Sequence, residues 1–80
     1  MKVRVVVTLK PGVLDPQGRA IAQALGGLGF ASVEEARVGK LIELTLSDDV
    51  AADDVGAQVD AMCRRLLANP VIENYRIEAE

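Results

Sequence analysis

The order of hydrophobic periodicities along this 80-residue chain is the strongest constraint on its fold. Residues 2–10 alternate apolar and polar side chains with a period of two, which is typical of a strand with one buried face. A stretch with helical period follows, then two stretches of period two, a second helical stretch and a final strand. The predicted order of elements is therefore β-α-β-β-α-β.

The first helix has clear start and stop signals. Asp15 occupies the N-cap position and Pro16 the first helical position, where a missing N–H costs nothing. Gly29 lies where a helix commonly ends in a left-handed residue. Apolar residues at helical spacing form one stripe, which consists of Ile21, Ala24, Leu25 and Leu28.

Residues 32–47 predict a β-hairpin. Residues 41–46 alternate clearly, whereas residues 33–38 are crowded with charges, as in an edge strand that discourages further pairing. Gly39-Lys40 marks the predicted turn between them.

The second helix carries the strongest periodic signal in the chain. It begins near Asp53, with acidic residues in its first turn, and Asn69-Pro70 stops it. A last strand is predicted over 71–78. The apolar stripe of this helix consists of Val55, Val59, Met62, Cys63, Leu66 and Leu67.

This order predicts an α+β fold over a single domain, residues 1–80. We expect a ferredoxin-like βαββαβ sandwich, with a four-stranded antiparallel sheet of order 4-1-3-2 and both helices on one face. The last strand then lies beside the first, so the loop at 10–15 and the segment at 69–72 should meet at one end of the sheet. The turn at 37–40 is expected at the opposite end.

Composition excludes several kinds of chemistry. The chain has no His and one Cys, so it lacks an imidazole base, a disulfide and a thiolate metal cage. Its net charge of −3 and pI near 4.8 disfavour nucleic-acid binding. The apolar run at the N-terminus is too short for a signal peptide or membrane span, and we expect a cytoplasmic protein. Cys63, on the apolar stripe, is interpreted as a buried, inert thiol.

The remaining charged motifs favour structural roles. Adjacent carboxylates at 34–35 point to opposite faces of a strand, and those at 48–49 and 53–54 are typical of a helix start. The helix start at 15–18 offers free N–H groups to an anion, but Asp15 itself caps them and its charge would repel a phosphate.

One sheet face is left open when both helices lie on the other. It mixes charges of both signs with apolar residues, so it is either solvated surface or a self-complementary dimer face. The candidates for a dimer face are Arg4, Val6, Leu41 and Glu43.

Four segments resemble the PurS family, the small subunits of phosphoribosylformylglycinamidine (FGAM) synthase. They read KPGVLDPQG at 10–18, LGF at 28–30, RVGK at 37–40 and LLANPVIENY at 66–75. The resemblance spans essentially the whole chain, in order and with fitting spacing.

The resemblance implies a non-catalytic subunit in de novo purine biosynthesis. It implies assembly with a glutaminase subunit (PurQ) and a synthetase subunit (PurL), ammonia transfer between them, and self-association as a homodimer or tetramer. ATP and Mg are used by the complex, and this chain is expected to bind no cofactor or metal. An alternative of another class is a regulatory module of ACT-like type that senses small ligands.

The loops at 10–18 and 69–73 form the candidate docking edge for partner subunits. They should meet at one end of the sheet, and they hold more turn residues than turns require. Polar contacts and apolar anchors are expected there. The candidates are Lys10, Val13, Leu14, Gln17, Asn69 and Ile72.

Overall fold

The chain folds into three strands and two helices, which the computed structural model describes over residues 1–79. An α+β class with two helices and an antiparallel sheet is thereby confirmed. The second helix continues directly into a π-helical turn at Cys63–Leu67. The elements are β1 (Lys2–Leu9), α1 (Pro16–Gly27), β2 (Gly39–Thr45), α2 (Ala52–Met62) and β3 (Glu73–Ala79).

The sheet is antiparallel throughout, with the order β2-β1-β3. On the central strand, Val5 pairs with Ile42 of β2 on one side and with Ile77 of β3 on the other. One face of β1 is fully buried because α2 and its π-helical turn cover it. The core consists of Val3, Val5, Val7, Val55, Val59, Cys63 and Ala68.

The predicted fourth strand is not found within residues 1–79, and neither is the order 4-1-3-2. Residues 33–38 have no regular secondary structure. Gly39-Lys40 is not a turn but the start of β2, with Gly39 paired to Thr8. The charges of the 33–38 segment were interpreted as those of an edge strand, but no neighbouring strand within residues 1–79 completes its hydrogen bonds.

The position expected for residues 37–40 was wrong. They lie at the same end of the sheet as the loop after β1, where the Arg37 guanidinium Nη2 donates to the Lys10 carbonyl at 3.0 Å. The reason is geometric: β2 runs antiparallel to β1, so β2 begins where β1 ends.

Both predicted ends of α1 are confirmed. The Asp15 side chain accepts from the Gly18 N–H at 2.9 Å, which is N-cap geometry. At the other end, the Phe30 N–H donates to the Leu25 carbonyl at 2.9 Å, and Gly29 has φ +99°. This is a Schellman motif, which needs glycine at the left-handed position.

The apolar stripe of α1 does not join the core of the described chain. Gly18 is the buried residue of this helix, while Ile21 is 45% exposed and Leu28 is 73% exposed. The radius of gyration is 16.2 Å, against about 12 Å for a compact chain of this size. The molecule measures 51 × 24 × 14 Å. The described chain is therefore elongated, and the apolar stripe of α1 is not packed into a compact core.

The π-helical turn changes which residues α2 and its extension bury. The Ala68 N–H donates to the Cys63 carbonyl at 2.9 Å, a bond that spans five residues instead of four. Cys63 stays in the core, but Leu66 is 83% exposed. The wider turn takes Leu66 off the stripe on which a regular helix would place it.

Candidate assembly surfaces

The two halves of the docking edge meet, as predicted. The Lys10 N–H donates to the Ile72 carbonyl at 2.8 Å, and the Val13 N–H donates to the Lys10 carbonyl at 2.9 Å. The first bond extends the β1–β3 pairing beyond the sheet, and the second closes a turn within the loop after β1. The loop after β1 and the loop before β3 therefore form one continuous surface.

Four of the six docking-edge residues are exposed, and Asn69 is one of them. Leu14 is 71% exposed and Ile72 is 39% exposed, while Gln17 is exposed on the first turn of α1. Lys10 and Val13 are half-buried. Val71, which is 78% exposed, was missed by the sequence analysis, although it lies inside one of the quoted motifs. Exposed branched side chains of this kind are suited to burial against another chain.

Asn69 has a structural role within the docking edge. Its side-chain oxygen accepts from the Val71 N–H at 3.0 Å, and its own N–H donates to the Glu73 carboxylate at 2.7 Å. Its carbonyl accepts from the N–H groups of Ile72 and Glu73. Asn69 thus sets the turn that presents Val71 and Ile72.

Asp15 ties the start of α1 to the start of β2. It is only 7% exposed, and one carboxylate oxygen accepts from Gly18 N–H while the other accepts from Val38 N–H at 2.7 Å. The Val38 and Gly18 hydrogen bonds, together with the nearby Arg37 charge, hold the pKa of Asp15 below its usual value of 3.8. The Asp15 carboxylate therefore has a structural role, since it connects the start of α1 to the residue before β2.

A groove of about 430 Å³ opens between the loop after β1, α1 and the 34–37 segment. Its lining includes Arg19 and Arg37, but also Glu34, Glu35 and the Asp15 carboxylate. Because both signs of charge are present and Asp15 already occupies the helix N–H groups, the groove shows no selectivity for an anion.

The four dimer-face candidates do share one face of the sheet. Arg4 pairs with Glu43 and Val6 pairs with Leu41, on the side opposite the buried valines of β1. Leu41 is 54% exposed. Arg4 also lies beside Glu78 of β3, and the Arg76 guanidinium is 3.4 Å from the Glu78 carboxylate. Much of the charge on this face is therefore matched within the chain.

A polar cluster joins α2 to β3 on the covered face. The Tyr75 hydroxyl donates to the Asp60 carboxylate at 2.5 Å, and Arg64 Nε donates to the other oxygen at 2.8 Å. The Tyr75 hydrogen bond and the Arg64 charge lower the pKa of Asp60. Cys63 is buried, and burial raises the pKa of its thiol, as expected of an inert cysteine.

The paired carboxylates do not converge on a metal site. Asp53 and Asp54 lie in the first turn of α2, as predicted, and the Ser47 hydroxyl lowers the pKa of Asp49 by hydrogen bonding. Within residues 1–79, no three metal-ligating side chains cluster. Nor does any helix in that range combine the length and apolar character that a membrane span requires.

Comparison with known proteins decides the family. Residues 2–80 match the family described as PurS: phosphoribosylformylglycinamidine (FGAM) synthase. The chain belongs to the PurS family. This confirms the resemblance carried by the four sequence motifs, and the alternative of a small-ligand sensor is not favoured.

Individual relatives match over almost the whole chain. The FGAM synthase subunit PurS of Synechocystis is 52% identical over 77 residues, which cover 94% of this chain and 74% of the relative. The crystal structure of Methanocaldococcus jannaschii PurS has a TM-score of 0.86 at 43% identity, covering 99% of this chain and 94% of that one. A chain in the structure of PurLQS from Thermotoga maritima has a TM-score of 0.85 at 30% identity, with coverage of 96% and 93%.

Proposed function

We propose that this PurS chain is a non-catalytic assembly subunit that brings the glutaminase (PurQ) and the synthetase (PurL) of FGAM synthase together and supports ammonia transfer between them. The observation that carries the proposal is the full-length match to a chain in the PurLQS structure of Thermotoga maritima. ATP and Mg belong to the chemistry of the partner subunits, and this chain binds neither.

The docking edge is the surface we assign to the partner subunits. The Lys10–Ile72 hydrogen bond makes it one surface, and Leu14, Val71 and Ile72 give it exposed apolar side chains. Gln17 adds a polar side chain at the start of α1. A patch with apolar anchors and a polar rim has the composition of a specific protein interface.

The test is assembly of the docking-edge variant Leu14→Ala, Gln17→Ala with purified synthetase and glutaminase subunits, in the presence of ADP and glutamine. Size-exclusion chromatography with light scattering measures the complex. The matched control is Gln58→Ala, an exposed position on α2. We expect the double variant to fold, as judged by circular dichroism, but to fall out of the complex, whereas the control remains in it.

Normal assembly by the folded double variant would contradict the assignment of the docking edge as the surface that binds the partner subunits. Asn69→Ala serves as a separate probe, because it disturbs the turn that presents Val71 and Ile72. If Asn69→Ala alone abolishes assembly, the turn conformation matters more than any one contact.

We also propose that the chain associates with itself. A lone copy exposes both the apolar centre of the open sheet face and the stripe of α1. The open face, with Arg4, Val6, Leu41 and Glu43, has its charges largely matched within one chain, so it offers a partner little beyond Leu41 and Val6. The α1 stripe is the stronger candidate, and light scattering of the isolated protein tests self-association directly.

A further inference from the structure

The π-helical turn after α2 presents two neighbouring side chains to solvent beside the docking edge. They are Arg65 and Leu66, which we name the π-turn patch, and both are exposed. We propose that this patch binds a surface of a neighbouring FGAM synthase subunit on which carboxylates surround an apolar pocket. The inference rests on the proposed assembly function and deepens it, since it adds two residues to the docking edge and gives the partner surface a chemistry.

Leu66 is exposed because of a backbone hydrogen bond. In a regular helix it would follow Val55 and Val59 on the buried stripe, but the bond from Ala68 to Cys63, which spans five residues, takes it off that stripe. At 83% exposed, Leu66 is the most exposed large apolar side chain within residues 1–79. Turns of π type within helices are frequent at functional sites. The turn therefore presents an apolar side chain that another chain can bury.

The two arginines of the turn differ in their partners. Arg64 Nε donates to the Asp60 carboxylate at 2.8 Å, so its charge is matched within the chain. For Arg65, no carboxylate among residues 1–79 lies within the 4.0 Å of an ion pair. The helix dipole favours a basic residue at this position, and the Arg65 guanidinium still has N–H donors available for a carboxylate of another chain.

The distribution of charge along the sheet favours an acidic partner surface. Basic residues gather at the end where β1 ends and where β2 and β3 begin, whereas acidic residues gather between β2 and the first turn of α2. Two carboxylates at the basic end, Asp15 and Glu73, already accept hydrogen bonds from backbone N–H groups, while Glu34 and Glu35 line the groove beside α1. The docking end of this acidic chain therefore suits a partner of opposite charge. The basic residues there are Lys10, Arg37, Lys40, Arg64 and Arg65.

Position and charge both favour a partner subunit over a second copy of this chain. Leu66 is three residues before Asn69, so the two lie within about 11 Å of each other and one partner surface can cover both. Together with Val71, Leu66 gives that combined surface two exposed apolar anchors. A twofold contact through the π-turn patch would instead bring Arg65 of each copy close to the other, and like charges repel.

Binding at two salt concentrations tests the π-turn patch. Each variant is titrated into a mixture of purified synthetase and glutaminase subunits with ADP and glutamine, and calorimetry gives the Kd at about 0.05 M and about 0.3 M salt. We expect Leu66→Ala to weaken binding about tenfold at both concentrations, because an apolar anchor is lost. Arg65→Gln should weaken binding at low salt, and the difference should shrink at high salt.

The matched control is Lys2→Gln, which makes the same change of charge at the opposite end of β1 and should leave the Kd unchanged. Urea unfolding of Leu66→Ala provides a second control. Because Leu66 is exposed, its midpoint should equal that of the wild type, so that weaker binding is not caused by unfolding.

The other outcomes overturn stated parts of the proposal. Wild-type affinity in Leu66→Ala, while the Leu14→Ala, Gln17→Ala variant loses assembly, rejects the π-turn patch but retains the proposed function. If Arg65→Gln binds like the wild type at low salt, or no more weakly than Lys2→Gln, the partner surface facing Arg65 is not acidic. If Leu66→Ala lowers the molar mass of the isolated protein in light scattering, the occupant is a second copy. Failure of the wild type to bind rejects both the patch and the proposed function.

Discussion

Replacing Gly18 with alanine tests whether the first turn of α1 packs against residue 36 as tightly as the structure shows. A Cβ added at Gly18 would lie 2.1 Å from the Ala36 carbonyl oxygen and 3.0 Å from an Asp15 carboxylate oxygen, whereas ordinary contacts begin at 3.4 Å. The backbone at Ala36 would have to move by more than 1 Å. That movement is resisted, because the nearby Val38 N–H is bound to the Asp15 carboxylate.

Two effects of opposite sign determine how Gly18→Ala changes the free energy of unfolding. Alanine favours a helix over glycine by up to about 1 kcal/mol. Overpacking of a closely packed site costs about 1–3 kcal/mol. Because the atom in contact is backbone, we expect the steric cost to prevail and Gly18→Ala to lower the free energy of unfolding. Gly26→Ala is the matched control: its added Cβ would meet nothing within 4 Å, so this variant should gain the helix preference alone.

Urea unfolding followed by circular dichroism measures the difference. With a slope of about 1 kcal/mol per molar urea for a small protein, the two midpoints should differ by about 1 M or more, with Gly26→Ala the more stable variant. All samples must have the same chain concentration, because self-association contributes to apparent stability. Equal midpoints for the two variants would show that the contact between α1 and the 36–38 segment is not as the structure describes it.

Three further predictions concern the core and the buried carboxylate. The pKa of Asp15 is lowered on folding, so its charged form contributes stability above pH 3.8 that is lost as the pH falls through the lower folded value. Asp15→Asn should therefore lower the urea midpoint at pH 7, and by progressively less as the pH falls below 3.8; an effect that does not shrink on acidification would contradict this. Val59 is 0% exposed, so Val59→Ala should lower the free energy of unfolding by about 2–3 kcal/mol, as measured by urea unfolding. Val71 is 78% exposed, so Val71→Ala should change the free energy of unfolding by less than about 0.5 kcal/mol. Similar losses of stability in the two variants would contradict the assigned core. The Cys63 thiol should react with a thiol reagent only in denaturant, and rapid reaction of the native protein would show that it is not buried.

The elements with strong local signals were predictable from the sequence. The alternation of β1, the Asp15 cap and the Gly29 stop depend on neighbouring residues, and the structure confirms each. The meeting of the Lys10 and Ile72 loops was also predictable, because antiparallel pairing of the first and last strands determines it.

The predictions that were wrong concern contacts that local sequence patterns do not encode. The 33–38 segment was expected to turn back at Gly39-Lys40, but the chain continues straight into β2. An apolar stripe shows that α1 must be covered, but it does not specify by which sheet. The exposure of Leu66 could not be predicted either, because it depends on one π-type hydrogen bond between Ala68 and Cys63.

The exposed stripe of α1 links the stability of this chain to its abundance. A lone copy leaves Ile21, Leu28 and Phe30 in water, so their burial contributes free energy only when a second chain is present. For a folded dimer in equilibrium with unfolded monomers, each tenfold dilution lowers the free energy of unfolding by about 1.4 kcal/mol per mole of dimer. The melting temperature of the protein should therefore rise with its own concentration.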